Sequence, residues 1–181
     1  MGKTTFLLMS ILLGALSASA QVPKGNIFLG YSYASAETLS TNHANLNGWN
    51  GSLEGKFLPW IGIVADLSGH YGSQDVPVAC IGSPCSLAHA DVRMYNFLFG
   101  PRVSVSVGKI RPFAEALFGA GHVSSDGFGS DTAFSTAIGG GIDYRLLPLV
   151  GWRVEGDFLN TRFFGDGQND FRLSTGIVFH F

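Results

Sequence analysis

Ionised side chains recur two residues apart in this chain: Glu54 and Lys56, Asp143 and Arg145, then Arg153, Glu155 and Asp157. In an extended backbone, residues i and i+2 leave from the same face, so each set is delivered to one side of a strand. The residues between and beside them are apolar or glycine: Leu53, Gly55 and Phe57, then Ile142 and Tyr144, then Trp152, Val154 and Phe158. Asp66, Arg102, Arg111, Glu115 and Arg172 obey the same alternation within their own segments. Collected from all these segments, six bases (Lys56, Arg102, Arg111, Arg145, Arg153, Arg172) match six acids (Glu54, Asp66, Glu115, Asp143, Glu155, Asp157). A face carrying balanced charges can form ion pairs wherever it is shielded from water. The opposite face is greasy and nearly uninterrupted.

Other residues with chemical potential are sparse. Cys80 and Cys85 are the only cysteines. In an exported chain they are expected to form a disulfide that closes a small loop hairpin. No paired histidine ligands accompany them, so zinc is not expected, and no other cofactor is implied. The histidines are His43, His70, His89, His122 and His180, and their spacing gives no metal motif. His122-Val123-Ser124 places a base two residues from a nucleophile, as in a lipid-modifying hydrolase. A triad also needs an orienting carboxylate, and no glutamate follows on the same face. Asp126 and Asp131 read as loop residues and His122 as a solvated loop histidine, so the chain is not expected to be an enzyme. Acidic residues dominate the longer connections (Glu37, Asp75, Asp91, Asp126, Asp131, Asp166, Asp170), with no spaced calcium motif among them.

The elements that must position the charged face are eight strand-like segments. They run over about 26–34, 46–57, 61–71, 92–103, 110–121, 133–145, 151–159 and 170–181. Connections 37–44, 72–90, 122–132 and 160–169 are long and polar, whereas 58–60, 104–109 and 146–150 are short. Long loops at one end and short turns at the other are the pattern of an up-and-down membrane barrel. The charge distribution agrees, since a charge facing hydrocarbon costs about 2–4 kcal/mol at the bilayer midplane. A soluble eight-stranded barrel would reverse it, with apolar residues inside and charges outside. Only Arg93 falls on the apolar parity, at a segment rim beside Asp91. Aromatics cluster at the segment ends: Phe57, Trp60, Phe99, Tyr144, Trp152 and Phe179 near the short turns, and Tyr33, Trp49, Tyr71, Tyr95 and Phe171 near the long loops.

The two ends of the chain complete the reading. Lys3, an apolar core over 6–16 and Ala18-Ser19-Ala20 form a secretory signal, so residues 1–20 are expected to be removed and 21–181 to form one domain. Without Lys3 the chain has 10 basic and 13 acidic side chains, net −3, which is no nucleic-acid footprint. No later stretch is apolar for the length of a membrane helix. The last segment sets Leu173, Thr175, Ile177, Phe179 and Phe181 against Arg172, Ser174, Gly176, Val178 and His180.

These segments, together with Gly139-Gly140-Gly141-Ile142-Asp143-Tyr144-Arg145 and the final 176–181, resemble the OmpA-like family of eight-stranded outer-membrane β-barrels, which includes OmpX-type proteins. The resemblance covers nearly all of residues 21–181 and implies an all-β, antiparallel, up-and-down transmembrane barrel in the outer membrane of a Gram-negative bacterium. It implies that Gly176, Ile177, Phe179 and Phe181 belong to a signal read by the barrel-assembly machinery. It also implies that charged pairs inside the barrel, among them Glu54, Lys56, Arg102, Glu115, Asp143, Arg145, Arg153 and Glu155, can gate a narrow ion path. Cell-wall tethering, which belongs to an additional periplasmic domain, is not carried over. The expected role is a monomeric scaffold for structure or surface interaction through its outer loops, amid outer-membrane lipid and lipopolysaccharide. A narrow channel for ions or small solutes is the alternative, and a lipid hydrolase a remote one.

Overall fold

The computed structural model describes residues 24–37, 43–77, 87–125, 129–162 and 167–181. Residues 1–20, expected as a secretory signal, and the two cysteines, expected as a disulfide, lie outside the described residues. Eight strands follow one another: β1 (Gly25–Glu37), β2 (His43–Lys56), β3 (Ile61–Pro77), β4 (Leu87–Ser104), β5 (Ile110–Ser125), β6 (Gly129–Arg145), β7 (Val150–Thr161) and β8 (Gln168–His180). Each pairs antiparallel with its sequence neighbour, and β1 pairs with β8, so the sheet closes into a barrel. Closure satisfies every strand edge, which a sheet surrounded by hydrocarbon requires.

Three tight turns join the strands at one end. Leu58 and Ile61 exchange backbone hydrogen bonds at 3.2 and 3.4 Å, and Leu147 and Val150 at 2.8 and 3.3 Å. In the third turn Gly108 has φ +63°, a left-handed conformation that glycine adopts without steric cost. Glycine has a different purpose at the closing seam, where Gly30 of β1 faces Gly176 of β8. A Cβ on Gly176 would lie 2.3 Å from the Gly30 Cα, so only glycine allows the two backbones to approach.

At the other end the strands outrun the sequence expectation. β3 and β4 remain paired up to Pro77 opposite Leu87, and β5 and β6 up to Ser125 opposite Gly129. Much of 72–90 and 122–132, expected as loop, is therefore hairpin. Beyond the bilayer both faces of a strand meet water, so polar residues continue the ladder without an alternating pattern to betray it. His122 and Asp131 accordingly lie in β5 and β6, not in loops.

The outer wall is apolar, with Ile138, Phe158 and Phe134 each exposed by about two thirds. The inward positions hold the charges, but also more apolar side chains than the alternation suggested. Val64, Leu98, Leu117, Ala137 and Leu159 pack together inside. Ala34, Leu46 and Met94 form a second cluster toward the long-hairpin end, against Val92, Val123 and Ala133. Eight strands leave an interior just wide enough for side chains to fill, and these residues fill what the charges leave.

Candidate functional site

Three arginines, wholly buried, organise the lumen: Arg102 of β4, Arg153 of β7 and Arg172 of β8. Part of their pairing follows from strand register. Arg102 stands opposite Glu115, Asp143 opposite Arg153, and Asp157 opposite Arg172. Arg102 Nε donates to Glu115 Oε2 at 2.6 Å. Arg153 grips Asp143 with two parallel bonds of 2.6 and 3.0 Å. Arg172 donates twice to Asp157 Oδ2, at 2.9 and 2.7 Å. Charge-assisted and forked bonds of this kind are the strong ones.

The remaining bonds cross the barrel. Arg172 reaches Asp66 of β3 at 2.7 Å and Ser68 at 3.1 Å. Arg102 reaches Glu155 of β7 at 3.3 Å. Arg153 donates to Asn26 of β1 at 3.1 Å and to Ser52 of β2 at 3.4 Å. Arg111 is opposite Asp143 in the sheet, yet its guanidinium bonds Glu54 of β2 at 3.0 Å. Aromatic faces complete the cage: Arg102 lies 4.3 Å and Arg153 4.6 Å from the centroid of the Phe113 ring, and Arg153 also covers Phe28. Gly139 makes room for this layer, because a Cβ there would lie 2.0 Å from Asp157 Oδ1.

The twelve charged residues named from the sequence do not all join this network. Lys56 is only partly buried, and its ammonium donates to Ser104 Oγ at 2.9 Å and Pro59 O at 3.3 Å rather than to a carboxylate. Arg145 is exposed at the short-turn rim. The other ten are brought together in the lumen, Arg111 at its lower edge. Sequence reasoning passed over Asn26, Asn50, Ser52, Ser68 and His70 as network members, and Phe28 and Phe113 as ring partners. Their inward parity was readable, but neutral side chains carry no charge to flag it.

Above the arginines the lumen holds neutral polar contacts and the buried Asp170. Ser32 bridges His70 and Ser174, each at 2.9 Å. Among the described residues, the carboxylates close enough to share one hard cation are Glu115, Glu155 and Asp157, within 4.8 Å of one another. Arg102 and Arg172 already occupy one oxygen of each. The second oxygen of each is buried without a hydrogen bond. His122 lies on β5, where its Nδ1 pairs with Thr132 Oγ1 at 2.7 Å.

A closed antiparallel barrel with an apolar exterior and an ionic interior is an integral membrane β-barrel. The model of the outer membrane protein beta-barrel domain matches residues 5–181, and the chain belongs to that family, placing it in the bacterial outer membrane with its short turns toward the periplasm. The neisserial surface protein NspA has the same fold, with 15% identity, a TM-score of 0.68 and coverage of 87% of this chain and 97% of that one. Ail, the attachment invasion locus protein of Yersinia pestis, solved with the heparin analogue sucrose octasulfate, aligns at 18% identity and TM-score 0.58 over 87% of this chain and 99% of its own. OprG of Pseudomonas aeruginosa aligns at 10% identity and TM-score 0.59 over 88% and 97%. At these identities the likeness concerns the fold. No curated protein sequence matches the chain.

Proposed function

We propose that this protein is a non-enzymatic scaffold that presents its outer hairpins for surface interaction. The observation that carries this reading is a lumen filled at two levels. Fully buried arginines and their carboxylates occupy one level, and Ala34, Leu46 and Met94 the level toward the outer hairpins. A continuous ion path is therefore disfavoured, while β3 and β4, at 17 and 18 residues, exceed the roughly 9–11 a tilted membrane strand needs. The surplus projects into the exterior, where loops on a rigid scaffold carry specificity.

The outer segments differ in charge from what a sulfated polyanion such as Ail's ligand would favour. In sequence, the segments at that end carry Glu37, Asp75, Asp91, Asp126, Asp131 and Asp166 against Arg93 and Arg162, while Asp170 is buried within the barrel. A basic or neutral surface fits this end better. On the same reading residues 1–20 are removed on export, the barrel is a monomer among outer-membrane lipid and lipopolysaccharide, and the assembly machinery engages β8. Planar-bilayer recording of the refolded barrel tests the choice of function. Silence supports the scaffold, and reproducible steps abolished by Arg102→Gln would replace it by the gated-channel reading.

A further inference from the structure

We propose that the periplasmic mouth of the barrel is an anion-binding vestibule for a phosphate-bearing group. The mouth is a cavity of about 1150 Å³ lined by Lys24, Lys56, Lys109, Arg111, Arg145 and His180, with Asp143 its one acidic side chain. Five cationic side chains against one carboxylate leave +4 with histidine neutral, and a carboxylate on Phe181 would still leave +3. This excess stands against a chain whose net charge is −2.

The local acids answer it only in part: Glu54 is spent on Arg111 and Asp143 on Arg153, which leaves Lys24, Lys56, Lys109 and Arg145. Asp143 is held by both arms of Arg153, at 2.6 and 3.0 Å. Glu54, just above, accepts from Arg111 at 3.0 Å and from Asn26 at 2.5 Å. Among the described residues, no carboxylate lies within 4.0 Å of Lys24, Lys56, Lys109 or Arg145. Two groups are also set in the wall rather than swinging free. Lys56 Nζ is fixed by Ser104 and Pro59. Arg111 Nε is buried there without a hydrogen-bond partner. Converging like charges at a low-dielectric wall focus a positive field and raise the local concentration of anions. Lysine ammonium groups and an arginine fork are the donors that phosphate oxygens take. Two sources can supply that chemistry: a soluble phosphate-bearing molecule in the periplasm, or the headgroup of an anionic lipid in the inner leaflet.

The full barrel, refolded in zwitterionic detergent, is titrated with inorganic pyrophosphate by calorimetry. Three proteins are compared: wild type, K24Q/K56Q/K109Q/R145Q, and the outer-end control R93Q/R162Q. None of these six side chains belongs to the buried arginine network. Saturable binding weakened at least about tenfold in the first variant and unchanged in the control supports a site for a soluble ligand. A lipid source is read in nanodiscs. Phosphatidylglycerol then raises the unfolding temperature of wild type above that in phosphatidylcholine discs, and the same variant cancels the gain. The proposal is overturned if neither arm responds to the mouth variant, or if the control weakens binding equally.

Discussion

Near the short turns the lumen is filled by guanidinium groups and carboxylates, whereas toward the outer hairpins Ala34, Leu46 and Met94 fill it with Val92, Val123 and Ala133 at their side. Both halves exclude water from a narrow barrel, but they are held together by different forces. Ion pairs are directional and stand or fall with their partners, because removing one member leaves an uncompensated buried charge. Apolar contacts are non-directional and fail in proportion to the volume lost. The ionic half therefore specifies which strands face one another across the barrel, and the apolar half closes its outer end.

The contrast is broken most severely by Arg172→Leu. The change strips Asp66 and Asp157 of their shared partner, both being wholly buried. A loss of about 3–5 kcal/mol is expected, read as the shift of the denaturant midpoint for the barrel in lipid vesicles. Leu46→Ala in the apolar half should cost less, about 2–3 kcal/mol for the cavity created, in the same assay. A larger cost than that of Arg172→Leu would mean that the outer cluster, not the ion pairs, dominates the lumen. Glu155→Gln should have the smallest effect, within about 1 kcal/mol of wild type. It removes one of three like charges within 4.8 Å while keeping the side chain's shape and its oxygen near Arg102. A loss as large as that of Arg172→Leu would show that the Glu155 charge is indispensable to the network.

Much of the architecture was legible in advance. Period-two alternation assigns a face to each residue without reference to any other strand, and the eight segments and their alternating connections followed from it. The outer limits of the strands were not legible. Above the bilayer Gly72, Ser73 and their partners Val92 and Asp91 pair as strand while carrying no amphipathic signal. The apolar fillers were also missed, since Leu98 and Leu117 sit at inward parity among residues the pattern marks as polar. An inward leucine violates alternation, yet it satisfies packing once the barrel has closed.

The sequence alone determined that ionised groups share one side of the sheet and that lipid-facing groups share the other, because side-chain direction along a strand is a local property of the backbone. The order of the strands and the short-turn end were fixed the same way, by turn length. Only the closed barrel decided that Arg172 meets Asp66, 106 residues away, and that Arg111 takes Glu54 over its sheet neighbour Asp143. Those choices depend on which walls curvature and tilt bring face to face, and no stretch of chain contains that distance.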